Sequence, residues 1–190
     1  MSISNSLFQG KHVRLGPIDH EKDPEIVSLW THDPAFMRMM YTDVQRPLSP
    51  WQVKKELEAM EKSIEEEKNR FHFRIRARRG GRLIGFAEVM WISWTNGNGY
   101  ARIGIGASKD RRKGYGGEAL GMLLRYAFAE LNLYRLTALI PEYNPAALAL
   151  FAGHGFREEV RRRQALERDL QRWDLLQYGL LASEWKEMNP

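Results

Sequence analysis

The stretch from 110 to 128, DRRKGYGGEALGMLLRYAF, passes from three cations through three glycines into apolar residues at helical spacing. Leu120, Leu123, Leu124, Ala127, Phe128 and Leu131 fall on one face at that spacing, which predicts an amphipathic helix over 115–131. The preceding YARIGIGAS reads as a strand. A strand that enters a helix through a glycine-rich turn belongs in an α/β sheet, and the first-turn N–H groups of that helix have no internal partners. Gly114, Gly116 and Gly117 let a ligand approach the backbone, while Arg111, Arg112 and Lys113 bring positive charge to the approach. Such a loop suits a polyanion such as a pyrophosphate. A solvated glycine turn flanked by free cations is the plain alternative.

The remaining punctuation supplies the other elements. A length of 190 residues suits a single domain over 1–190. Val13 and Leu15 alternate in a first strand within 11–17, and Asp23 before Pro24 reads as the N-cap of a helix, DPEIVSLWTH. Asp33–Pro34 repeats that signal for a second short helix, and Ser49–Pro50 opens a third that runs to about Lys68. FHFRIRARRGGRLIGFAEVMW reads as a hairpin turning at Gly80 and Gly81. Its first strand sets Phe71, Phe73, Ile75 and Ala77 on one face and His72, Arg74, Arg76 and Arg78 on the other, which is expected to be half exposed. After the glycine loop come a short strand YRLTALIP, a helix from Asn144–Pro145 and two closing strands. The expected class is α/β: a mixed, mostly antiparallel central sheet flanked by helices.

Composition narrows the chemistry. With no cysteine, disulfides, thiolate metal sites and a cysteine acyl-enzyme are excluded. The five histidines lack metal-ligand spacing, so no metal is expected. No segment approaches 18 apolar residues and MSISNSLFQGKH lacks a basic region followed by an apolar run, so a cytoplasmic protein with no membrane partner is expected. The net charge of +5 serves an anionic small ligand as readily as nucleic acid. Nucleic-acid binding through RIRARRGGR and REEVRRR ranks last, because acids interrupt the second cluster.

Two nucleotide loops fit poorly. No glycine here is followed by Lys and Ser/Thr as a Walker loop requires. GYGGEA matches G-x-G-x-x-G/A, yet the acid expected about twenty residues on is absent and SKDRRK separates the strand from the glycines. RRKGYG instead resembles R/Q-x-x-G-x-G/A, the acetyl-CoA pyrophosphate loop of the GNAT superfamily of N-acetyltransferases. NPAALALFAGHGF resembles the superfamily's N-x-x-A-x-x-x-Y-x-x-x-G-F, from Asn144 to Gly155–Phe156. With EW at 184–185, the chain looks closest to the RimJ/RimL-like branch.

That resemblance implies a sheet with splayed central strands and direct transfer of acetyl from acetyl-CoA to a primary amine, either a protein N-terminus or a small-molecule amine. It implies that Ile103, Gly104, Ile105 and Gly106 pair with the pantetheine arm, with Gly104 and Gly106 leaving room for the thioester. Arg111, Arg112, Lys113, Gly114, Tyr115, Gly116 and Gly117 would hold the pyrophosphate, and Asn144 would hydrogen-bond the arm. The usual acid, a tyrosine, is replaced by Phe151, and a serine found in some RimJ/RimL-like members is replaced by Ala147. Arg102 stands where a glutamate is common, so Glu88, and after it Glu142, become the candidate bases, with Tyr143 or Tyr100 as the candidate acid. The acceptor is expected among Trp30, Met37, Tyr41, Trp91 and Trp94. A non-catalytic acyl-CoA-binding regulatory module is the alternative, and a homodimer is compatible with either.

Overall fold

The computed structural model describes residues 7–189; the reading of residues 1–6 as free of a leader lies outside them. The chain runs β1 (Val13–Gly16), α1 (Asp23–Thr31), α2 (Pro34–Met40), α3 (Pro50–Glu67), β2 (Phe71–Ala77), β3 (Leu83–Ser93), β4 (Asn98–Ile105), α4 (Tyr115–Arg125), β5 (Arg135–Pro141), α5 (Pro145–Ala152), β6 (Arg157–Arg168), β7 (Gln171–Leu181) and α6 (Ala182–Met188). The strands form one sheet in the order β1-β2-β3-β4-β5-β7-β6. Every neighbouring pair is antiparallel except β4 with β5, which run parallel.

Both faces of the sheet centre are covered. On one, Leu120, Leu123, Leu124 and Ala127 pack on Val13, Ile75, Val89 and Leu136. On the other, Trp30, Phe36 and Met37 pack on Leu83 and Phe86, and Val53 and Leu57 of α3 close over Leu48. β3 is consequently buried at every residue from Leu83 to Met90, the signature of a strand covered on both sides. The glycine-rich loop leads into α4 as its apolar period requires. The helix changes at Tyr126 to a single π-turn through Glu130, closed by Leu131 N–H donating to Tyr126 O at 3.0 Å.

Two expectations are corrected on the second face. Asp23 is not an N-cap: the cap position is Lys22, and the Asp23 carboxylate turns inward with no exposure. There it accepts from Arg76 Nη2 at 2.9 Å and lies 3.3 Å from Arg74 Nε. The His72–Arg74–Arg76 face is likewise largely covered, with Arg74 only 2% exposed and His72 and Arg76 partly buried, because the helical layer α1–α3 is laid across it. Alternation identified that face as polar but could not show that a polar layer sat beneath three helices. The other cap signals hold: Asp33 accepts from Ala35 and Phe36 N–H, and Ser49 forms a capping box with Gln52.

Asp23 is thus the ionic tie between α1 and the sheet. Asp23→Asn leaves two guanidinium groups facing a neutral amide in the interior, and unfolding in urea should show a loss of about 3–5 kcal/mol. Glu21→Ala, which breaks only the exposed pair with Lys54, should leave the unfolding midpoint unchanged.

Candidate active site

The site begins where β4 and β5 part. Their pairing runs only through Asn98↔Arg135, Gly99↔Leu136 and Tyr100↔Thr137. Beyond that β4 stays on β3 as far as Ile105, and β5 stays on β7 as far as Pro141. The splay expected at Ile103–Gly106 therefore begins at Ala101, and the β4 edge facing the gap has no strand partner. Such backbone can accept an extended ligand as an added strand.

At the wide end of the gap α4 starts. Gly114, at φ 81°, is its N-cap and supplies no side-chain cap, unlike Asp33, Ser49 and Asn144 on α2, α3 and α5. The first helical bond is Glu118 N–H to Gly114 O at 3.0 Å, so the N–H groups of Tyr115, Gly116 and Gly117 precede it at the positive end of the helix. Arg112 and Lys113 are exposed beside them.

Arg111 points elsewhere. Its Nε donates to Ile105 O at 3.1 Å, and its Nη2 donates to Gly106 O at 2.6 Å and to Asp33 Oδ2 at 2.9 Å. Arg111 thus closes the carbonyls at the end of the splayed strand and ties them to the start of α2, leaving charge at the loop to Arg112 and Lys113. The two strand glycines are also corrected. A Cβ on Gly106 would lie 2.0 Å from the Trp30 indole, and one on Gly104 2.8 Å from Phe86 and 3.2 Å from Met40. On the side where each Cβ would point, the space is filled by Phe86 and Trp30.

On the β5 side, Asn144 Oδ1 accepts from Ala147 N–H at 3.1 Å and Nδ2 donates to Met39 O at 3.2 Å, joining α5 to the end of α2. Tyr143 lies alongside, its hydroxyl donating to Arg38 O at 3.1 Å and its ring edge-on to Trp173. Phe151 is buried edge-on to Phe156, 5.0 Å between centroids, and belongs to the core. Tyr100 packs against Trp91, while Glu142 is held by Arg161 and by the Asp174 N–H. Neither lines the cavity described next.

That cavity, of about 240 Å³, lies between α1–α3 and the sheet. Trp30, Met37 and Tyr41 line it as expected; Trp91 and Trp94 do not, and stand half exposed at the far end of β3. His72 and Arg102 line it and are the outer members of a polar row across three strands: His72 pairs in register with Glu88, and Glu88 with Arg102. Glu88 has no exposure; it accepts from Arg102 Nε, and its Oε2 lies 3.3 Å from His72 Nδ1. Burial works against this carboxylate, but the His72 hydrogen bond and the Arg102 guanidinium outweigh it and hold its pKa down at about 2. A base so weak takes up little of an amine's proton, so Glu88 as placed is a fixed anion. Burial pushes the His72 imidazole down, toward its neutral form.

His72 and Arg74 are the site residues that sequence reasoning missed, having been read as a strand's outer face. The usable signal was a basic row on β2 in a chain with three helices still to be placed against the sheet.

An acetyltransferase (GNAT) domain model matches residues 12–157. An uncharacterised N-acetyltransferase of Bacillus licheniformis, p20, is 26% identical over 169 residues, spanning 86% of this chain and 90% of that protein. The uncharacterised N-acetyltransferase YnaD of Bacillus subtilis (strain 168) is 31% identical over 75 residues, covering 40% of this chain and less than half, 44%, of that protein. Among solved structures, spermidine N-acetyltransferase from Vibrio cholerae in complex with CoA and spermine superposes with a TM-score of 0.78 at 20% identity, over 93% of this chain and 99% of that one. The chain belongs to the GNAT family of N-acetyltransferases.

Proposed function

We propose that the chain moves the acetyl group of acetyl-CoA directly to a primary amine, in the gap between β4 and β5. The observation that carries this reading is that the unpaired edge of β4 ends beside the uncapped, glycine-started helix α4. Ile103 to Gly106 offer backbone groups to an extended arm. Tyr115, Gly116 and Gly117 offer N–H groups to a pyrophosphate, with Arg112 and Lys113 at its flank. Acetyl-CoA supplies the activated acyl group as a thioester. In the transfer the amine nitrogen forms the new bond to the acetyl carbon, the carbon–sulfur bond breaks, and the thiolate leaves with its electron pair and takes the second amine proton.

The ammonium form of the acceptor must first release a proton to solvent water, and at a lysine-like pKa of about 10.4 only on the order of one molecule in a thousand is neutral at pH 7. Glu88 contributes by fixing His72 and Arg102 at the cavity floor. With Phe151 in the core and the Tyr143 proton engaged by Arg38 O, the thiolate departs on its own low basicity, a thiol pKa near about 8.5. Assignment to the RimJ/RimL-like branch, which rests on the sequence resemblance, and a cytoplasmic setting, which rests on composition, belong to the same proposal, and a homodimer is compatible with it.

Binding of acetyl-CoA by calorimetry, and CoA release followed with a thiol reagent in this cysteine-free chain, test the reading directly; absence of binding ends it. Binding without turnover over a broad amine panel would instead favour the non-catalytic acyl-CoA module. Gly114→Ala forces a Cβ into the left-handed region at roughly 1–2 kcal/mol, and KM for acetyl-CoA should rise about tenfold with kcat little changed.

Glu88→Gln separates a fixed anion from a base. The variant should lose rate while the acid limb of the kcat/KM profile stays where it was, because Glu88 remains ionised throughout that range. Its folded pKa is depressed, so its contribution to stability is complete above the unfolded value of about 4.3 and is lost as pH falls toward about 2. Acid titrations of the parent and variant should therefore differ by a constant amount above about pH 5 and converge below it.

A further inference from the structure

A set of side-chain contacts crosses the open end of the gap between β4 and β5, and all of them land on the end of α2. The last carbonyls of a helix have no partner within it, and in α2 they are taken up by the half of the sheet made of β5, β7 and β6. Arg38 O accepts from the Tyr143 hydroxyl at 3.1 Å and Met39 O from Asn144 Nδ2 at 3.2 Å, both donors standing just after β5. Beyond the helix, Arg168 Nη2 donates to Tyr41 O at 3.2 Å and to Thr42 O at 2.5 Å. Arg38 Nη1 adds an ion pair with Asp169 Oδ2 at 2.8 Å. On its other side α2 rests on the β4 half, where a Cβ on Gly104 would lie 3.2 Å from Met40 Sδ. The segment from Arg38 to Thr42 therefore spans the two halves of the split sheet.

Arg168 sits at the base of a tight and strained turn. β6 passes to β7 through Asp169 and Leu170 alone, since Arg168 pairs with Gln171, and both turn residues have positive φ, 53° and 60°. Two such residues make a type I′ turn, which favours Asn-Gly over leucine. Leu170 is 96% exposed, so its own packing does not hold it there. The grip of Arg168 and Asp169 on α2 does, and strain retained in this way points to a function for the contact. Arg168 Nη1 meanwhile donates to Glu167 O at 2.8 Å, which fixes the guanidinium and leaves Nη2 for the two α2 carbonyls.

What Arg168 holds is the wall between two cavities. Tyr41 lines the inner one, of about 240 Å³; Arg168 lines an outer one, of about 440 Å³; Thr31, Met37 and Gln45 line both. The Tyr41 ring lies against the Arg102 guanidinium, 5.4 Å from its centroid, so a shift of the Tyr41 backbone alters the inner cavity where it meets β4. We propose that Arg168 is a positioning residue for the acetyl acceptor, acting through Tyr41: it latches the end of α2 across the gap and so sets the shape of the inner cavity. This rests on the reading of the chain as an amine acetyltransferase whose acceptor occupies that cavity. Among the described residues no hydrogen bond or ion pair joins Arg168 to β4 or to the start of α4, so the donor side stands apart from the latch.

Steady-state kinetics test this with whichever of spermidine, the tripeptide Ser-Ala-Ala and benzylamine the parent protein acetylates fastest. In Arg168→Ala the KM for the amine should rise about tenfold while the KM for acetyl-CoA stays unchanged, as the loss of charge-assisted bonds to two carbonyls allows. Arg168→Lys keeps the charge without the two-ended fork and should give a smaller rise. Asp169→Asn keeps a residue suited to the turn, removes only the ion pair, and should also give a smaller rise. Arg172→Ala, which breaks an exposed pair with Glu167 on the same hairpin, should change neither KM. A merely structural role would lower the urea midpoint of Arg168→Ala and its active fraction with both KM values in place; that result, or an equal rise in both, overturns the proposal. Should Arg168→Ala fail to fold by circular dichroism, Arg168→Lys decides, and an unchanged amine KM there counts against the latch. A parent protein that acetylates none of the three amines removes the enzyme reading and the proposal with it, whereas an active parent with an unchanged amine KM in the variants sinks the latch alone.

Discussion

Three residue pairs hold β4 to β5, and the rest of the site depends on their being only three. The two strands are parallel neighbours inside an otherwise antiparallel sheet; on its other side β5 is paired throughout and β4 is paired from Tyr100 to Ile105. Their divergence leaves backbone groups exposed to a gap in the middle of the molecule, and buried backbone groups require partners. Arg111 takes the two carbonyls at the open end, Ile105 O and Gly106 O, and carries them to Asp33. The gap is thereby held open by side-chain bonds that no strand ladder supplies.

The second organising constraint is a buried polar layer. Most of the face of a sheet under a helical layer is apolar, yet β2 and β4 send His72, Arg74, Arg76 and Arg102 beneath α1–α3. Charges there are tolerable only when paired, and Asp23 and Glu88 do most of that pairing. The arrangement makes α1 part of the site as well as part of the fold, because Asp23 at its first turn holds Arg74 and Arg76 while Trp30 of the same helix lines the cavity. It also favours one protonation state: an anion enclosed by a guanidinium and an imidazole is held as an anion between its neighbours.

Much of the fold was legible along the chain. Proline after a cap residue placed the starts of α2, α3 and α5, the period-two alternation placed β2, and the glycine pair placed the β2–β3 turn. These are local signals, produced by backbone dihedrals and hydrogen-bond needs within a few residues. The glycine loop was legible for the same reason, since positive φ at Gly114 and a bare helix start are local properties. Side-chain direction was not. Arg111 sits in the loop motif yet faces the strand; Asp23 has a capping sequence yet turns to the sheet; Gly104 and Gly106 suggested room for a ligand and instead admit Phe86 and Trp30.

By itself the sequence determined the elements, their order, the α/β class and the loop at which an anionic cofactor arm would end, because each follows from periodicity, capping or glycine within a short window. Tertiary structure alone decided where β4 leaves β5, which polar side chains are buried, and which of them keep an unmet hydrogen bond. Those outcomes depend on what lies across a face, and His72, Glu88 and Arg102 become one row only when strands distant in sequence come into register.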